Sequence, residues 1–221
     1  MSKTGLLKSS IGRKVAMALS ALFLMIFLLQ HLAINITAVF SPDTFNELSH
    51  FMGTNFAVQF IAQPILIFAV VFHFVMGFVL ELQNRAARPN KYVKYNGGAN
   101  ASWMSRNMII SGAVILAFLG LHFYDFWIPE ITDKFVHGIW DDTTKYYAHV
   151  LHKFEDPIRV AIYCISFVLL ALHLLHGFGS AFQSVGQNGK LVQGLKKFGV
   201  AYSIAVPAGF IFIAIYLHLI Q

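Results

Sequence analysis

Apolar residues run almost unbroken through five stretches of this chain, near Val15–Phe40, Phe56–Leu82, Met104–Trp127, Pro157–Phe182 and Phe198–Leu219. Each is long enough to cross about 30 Å of hydrocarbon as a helix rising roughly 1.5 Å per residue. The pattern predicts an all-α integral membrane protein, a five-transmembrane-helix bundle in which residues 1–221 form one domain. The first stretch follows Lys3, Lys8, Arg13 and Lys14, as a signal peptide would. Its apolar part exceeds the roughly 7–15 residues of a signal h-region and has no clear small-residue cleavage site, so a retained helix is expected. Between the stretches, Ser41–Asn55 reads as a short polar loop and Ile128–Asp156 as a longer acidic one. Within the latter, Tyr146, Val150, Leu151 and Phe154 recur at helical spacing, which predicts an amphipathic helix over Thr143–Phe154 lying on the outer surface. Trp103, Trp127 and Trp140 fall at or beyond span ends, where interfacial aromatics belong.

Composition agrees: 57% of residues are hydrophobic and 12% charged, about half the charged fraction of a soluble domain. The basic residues also set an expected orientation. Lys3, Lys8, Arg13, Lys14, Arg85, Arg88, Lys91, Lys94, Arg106, Lys190, Lys196 and Lys197 share one side, and Lys134, Lys145, Lys153 and Arg159 the other, 12 against 4. The positive-inside rule then puts the N-terminus in the cytoplasm and the C-terminus outside. The net charge of +6 is mostly this topological signal and calls for no nucleic acid. Cys164, the one cysteine, lies inside the fourth stretch as a small apolar filler. Without a C-x-x-C-H sequence, any haem would be held by coordination and packing.

Four of the stretches each carry a histidine late in their run: His31, His73, His122 and His173. An imidazole in hydrocarbon is costly and marks function by default. From Lys14 to His31 is 17 positions, from Phe56 to His73 17, from Arg106 to His122 16, and from Asp156 to His173 17. Each imidazole therefore stands about 25 Å along its helix in the chain direction. The first and third spans run outward, so His31 and His122 meet at an outer depth; the second and fourth run inward, so His73 and His173 meet at an inner depth. For spans of about 24 residues the two levels lie roughly 14 Å apart. Two histidines per level are too few for zinc, which wants four ligands, and suit haem, which brings four nitrogens of its own. Two axial imidazoles leave no open position on iron, an arrangement for electron transfer rather than substrate activation.

Each histidine also has an ordinary reading, bonding a neighbouring carbonyl or capping a water cavity, but four at matched depth are not expected by accident. Gly77 and Gly177 each follow a histidine by four residues, on the same helical face. That position suits close approach of a flat macrocycle and equally suits helix packing. His176 competes with His173 three residues away; the repeated glycine favours His173. His50, His137, His149 and His152 read as surface groups, and His218 as a polar tip among headgroups. Glu81 and Asp125 lie near span ends, too shallow for the intramembrane carboxylates of a proton transporter.

The run Ile26-Phe-Leu-Leu-Gln-His31-Leu-Ala-Ile-Asn35, followed by Phe45-Asn-Glu-Leu-Ser-His50-Phe-Met, resembles the single-chain dihaem cytochrome b subunit of succinate dehydrogenase/fumarate reductase. Leu121-His122-Phe-Tyr-Asp-Phe-Trp is similar to the third-helix ligand region of that family. His173-x-x-x-Gly177-x-x-Ser180-Ala-Phe-Gln183-x-x-Gly186 is similar to its fourth. The resemblance spans all five helices, and the loops match poorly. It implies a bacterial cytoplasmic-membrane anchor with two haems b, held by His31 and His122 at the outer level and by His73 and His173 at the inner. It implies a flavoprotein subunit with FAD and an iron–sulfur subunit on the cytoplasmic face; the basic loop Arg85 to Arg106 is the expected docking surface for the latter, and a topogenic charge cluster accounts for its charge equally well but not for its length. It also implies electron delivery to a quinone, typically menaquinone. Asn35, Glu47 and His50 are the quinone candidates near the outer level, with Arg13 and Ser20 near the inner face. Some fumarate-reducing relatives have a glutamate shortly before the fourth-helix ligand. Here Leu170, Ala171 and Leu172 stand there, which favours succinate oxidation.

The expected function is therefore the membrane anchor and electron-transfer subunit of a succinate:quinone oxidoreductase, with no succinate site of its own. Two alternatives stand beside it. One is a haem b subunit of a hydrogenase or bc-type complex, though no helix here has the paired histidines two heptads apart of bc-type subunits. The other is a haem-free transporter or assembly protein.

Overall fold

The computed structural model describes residues 9–86, 107–184, 186 and 190–221. Among them the chain is helical, with no strand. Helix α1 (Ser10–Asn35) starts at an N-cap, where the Ser9 hydroxyl accepts a hydrogen bond from the Gly12 amide at 2.9 Å. It continues into the short α2 (Thr37–Phe40) and is followed by α3 (Pro42–Thr54). A π-helical turn, Val58–Ala62, leads into α4 (Gln63–Ala86). Helix α5 (Met108–His122) passes through a second π-helical turn, Phe123–Trp127, into α6 (Ile128–Phe135). Helices α7 (Lys145–Lys153), α8 (Pro157–Ser184) and α9 (Lys190–Leu219) complete the order.

Five helical stretches are long and apolar enough to cross a membrane: Ser10–Phe40, Val58–Ala86, Met108–Phe135, Pro157–Ser184 and Gln193–Leu219. They overlap the five expected runs, and the chain has the build of a multi-pass membrane protein. The start of the third run, from Met104 to Arg106, and most of the basic loop between Arg85 and Arg106 lie outside the described residues. Two expectations need correcting. Ser41–Asn55 is not a loop but contains α3, begun by Pro42 in the first turn and by the Ser41 hydroxyl accepting from the Thr44 amide at 3.2 Å. The third span does not stop at Trp127 either. Pro129 follows directly on the π-helical turn without ending the helix, which runs on to Phe135.

Helix α1 packs on α4 and α8, and α5 packs on α8 and α4. These four form a ring in which α1 faces α5 across one diagonal and α4 faces α8 across the other. Helix α9 lies outside the ring against α8 and α1. Most of the buried apolar core is there, with Tyr163, Phe167 and Phe178 of α8 against Tyr202, Phe210 and Leu217 of α9. A side chain at Gly199 would collide with the Phe178 ring, and a Cβ at Gly209 would stand 2.9 Å from Leu32 Cδ1, so both glycines serve close helix approach. The Tyr202 hydroxyl donates to the Met25 carbonyl at 2.5 Å, tying α9 to α1.

At the end of the bundle where α3, α6 and α7 meet, charged groups hold the short helices together. The ammonium of Lys134, fully buried, bonds the Gly53 carbonyl and lies 2.5 Å from Glu130 Oε1. Lys145 reaches Glu130 Oε2 and Asp133 Oδ2, both at 2.9 Å, and the Tyr146 hydroxyl donates to Glu130 Oε1 at 3.0 Å. Burial draws the Lys145 ammonium down, but its bonds to Asp133 and Glu130 outweigh that and hold it above the ordinary lysine range. The amphipathic helix expected at Thr143–Phe154 is α7, with Val150 and Phe154 buried. It packs on α3 rather than lying alone at the surface.

Candidate functional site

The diagonals of the ring carry His31, His122, His73 and His173, one from each of its four helices. His31 on α1 faces His122 on α5, ring centres 5.8 Å apart and planes at 88°. His73 on α4 faces His173 on α8, ring centres 6.4 Å apart and planes at 69°. Each pair of facing imidazoles thus comes from two helices opposite each other in the ring, two imidazoles per level.

The separation of the levels follows from contacts between neighbours. Ser20 on α1 lies 3.1 Å from His73 Nδ1, and Ser111 on α5 lies 3.2 Å from His173 Nδ1. Ser20 precedes His31 by 11 residues, and Ser111 precedes His122 by 11. At roughly 1.5 Å per residue the two imidazole levels stand about 16 Å apart along the helices. The same hairpin geometry occurs twice. Met17 Cε is the nearest atom to a Cβ built on Gly77, at 3.6 Å, and Met108 Cε is the nearest to one built on Gly177, also at 3.6 Å. Both are ordinary side-chain contacts between neighbouring helices, looser than those at Gly199 and Gly209.

The His31–His122 pair has its own surroundings. The Asn35 amide donates to the His31 carbonyl at 2.8 Å and lies 3.4 Å from His31 Nδ1. His122 Nδ1 is buried with no hydrogen-bond partner among the described residues. The π-helical turn begins at the next residue, Phe123, and such turns recur at functional sites. Three residues past His122, Asp125 is fully buried. It accepts from Arg159 and from the Tyr163 hydroxyl at 2.8 Å, with Lys153 Nζ at 4.0 Å. The His149 ring lies 2.7 Å from the Asp125 carbonyl and the His218 ring 2.8 Å from the Phe154 carbonyl, so these two hold helix ends together rather than standing free at the surface.

The remaining candidates are scattered. Glu47 is exposed on α3, and His50, one turn on, lies beside the Tyr146 ring at 6.3 Å with a buried, unpartnered Nδ1. Arg13 is half-buried on α1, and its Nε is also buried without a partner. The ring that faces His73 is that of His173, not His176.

Reasoning from sequence misses Ser111 and the Asp125–Arg159 pair. The first was legible: Met17-x-x-Ser20 and Met108-x-x-Ser111 stand at the same distance before His31 and His122. The second joins groups 34 positions apart and has no local signature.

The donor set restricts what could bind. Among the described residues no three His, Cys, Asp or Glu side chains are arranged to hold a metal ion. A metal bonded to two opposed imidazoles at about 2 Å each places their ring centres about 6 Å apart. Both pairs stand at about that spacing, and with two imidazoles per level a metal there would need its remaining ligands from elsewhere. No family model, curated protein or solved structure matches the chain.

Proposed function

We propose that this chain is the membrane anchor and electron-transfer subunit of a succinate:quinone oxidoreductase. The carrying observation is that two opposed imidazole pairs, at ring separations of 5.8 and 6.4 Å, lie across the two diagonals of one four-helix ring at two depths. Haem b bound at each pair would supply a one-electron carrier, and two carriers about 16 Å apart suit passage of electrons across a bilayer. In this reading His31 and His122 hold the outer group, His73 and His173 the inner.

The chain's own residues do the rest. Four apolar helices surround the imidazoles and would exclude water from an iron held between them. The choice of succinate rests on the resemblance of the His31, His122 and His173 segments to the dihaem cytochrome b family. With it come a flavoprotein carrying FAD, an iron–sulfur subunit at the basic cytoplasmic side, and menaquinone as the acceptor. Asn35, Glu47 and His50 are the quinone contacts of this proposal. The membrane is the bacterial cytoplasmic one, with the N-terminus inside and the C-terminus outside.

Co-expression with the two peripheral subunits tests this reading. The expected result is a three-subunit complex that reduces a menaquinone analogue with succinate. A chain that assembles with neither subunit and supports no succinate-dependent reduction would contradict it.

A further inference from the structure

The two imidazole pairs are chemically unequal, and the difference lies in two serines. At the inner level both histidines touch a hydroxyl, His73 through Ser20 and His173 through Ser111. A serine hydroxyl has one proton. Ser20 donates its own to the Met17 carbonyl at 2.8 Å, and Ser111 donates its own to the Met108 carbonyl at 2.9 Å. The remaining contact, Oγ to imidazole Nδ1, is then closed by a proton on Nδ1. That tautomer leaves Nε2 with its lone pair free on both rings. At the outer level nothing equivalent exists among the described residues: His122 Nδ1 has no partner, and His31 Nδ1 has the Asn35 amide at 3.4 Å.

We infer that Ser20 and Ser111 are positioning residues for the inner iron centre alone, each fixing its histidine as an Nε2 ligand. The inference rests on the functional reading above and deepens it. Donation of the distal ring N–H to an acceptor orients a ligating imidazole and raises its basicity. A more basic ligand stabilises the ferric state, so the serines hold the inner potential below the value bare imidazoles would give.

The test is a redox titration of the purified chain, followed in the haem absorption bands, on wild type, Ser20→Ala, Ser111→Ala and the threonine variants at both positions. Each alanine variant is expected to raise the potential of one haem and leave the other unchanged. Both should act on the same haem, the one that His73→Ala removes. Haem retention at that level is expected to fall about 10–100-fold. Threonine keeps the hydroxyl and is expected to restore the wild-type potential, which a loss of packing alone would not allow. If an alanine variant loses the haem outright, recovery of haem and potential in the threonine variant supports the inference equally. A wild-type chain without haem would defeat the functional reading and this inference together. Two haems whose potentials ignore both serines, or a shift in the outer haem, would overturn this inference alone.

Discussion

Replacing His73 or His173 by alanine is expected to remove one haem per chain, the inner one, and to leave the outer with its wild-type spectrum and potential. Replacing His31 or His122 should do the converse. The expectation comes from geometry: each imidazole faces one partner across its own diagonal, and the levels are about 16 Å apart. Either change would leave the group held by one imidazole instead of two, and loss of that haem is the expected outcome. His176→Ala should retain both haems, since His173 is the ring that meets His73. Haem quantification and difference spectra of the five variants check the pairing. Loss of the outer haem from a His73 or His173 variant would refute it.

The second large effect concerns the buried ion pair beside the His31–His122 level. Asp125 is wholly enclosed, and Arg159 is its nearest cation. In Arg159→Met the carboxylate keeps the Tyr163 hydroxyl at 2.8 Å and Lys153 at 4.0 Å, which is poor compensation for a buried charge. Removing one partner of such a pair costs about 3–5 kcal/mol. The combined change Asp125→Asn with Arg159→Met removes both charges and should recover a good part of that loss. Because Asp125 lies one turn past His122, the outer haem should be released first on heating. Thermal unfolding in detergent, read by helical circular dichroism together with haem absorbance, measures both. An Arg159→Met chain as stable as wild type, or one that loses the inner haem first, would contradict this placement.

Much of the site is legible in the sequence because it obeys two regularities. A polar ring in hydrocarbon is rare enough to stand out, and alternating chain direction assigns His31, His73, His122 and His173 to two depths by counting alone. What escapes the count is lateral. The repeat of Met17-x-x-Ser20 and Met108-x-x-Ser111 is legible, but not which side chains the serines meet: neighbouring helices set them beside His73 and His173. Asp125 reads as an interfacial carboxylate, because nothing local announces that Arg159 and Tyr163 will enclose it. Helix α3 is obscured by its polar residues, although Ser41 followed by Pro42 is a readable helix start. The second π-helical turn, at Phe123–Trp127, has no pattern in the sequence that would reveal it.

The most direct test is the haem content of the purified chain, measured as pyridine haemochromogen and by reduced-minus-oxidised spectroscopy. Two protohaems per polypeptide, both low-spin, are expected from two imidazole pairs at metal-bridging separation. A chain that purifies folded with no haem, or with high-spin haem open at one axial position, would contradict a pair of bis-imidazole iron centres.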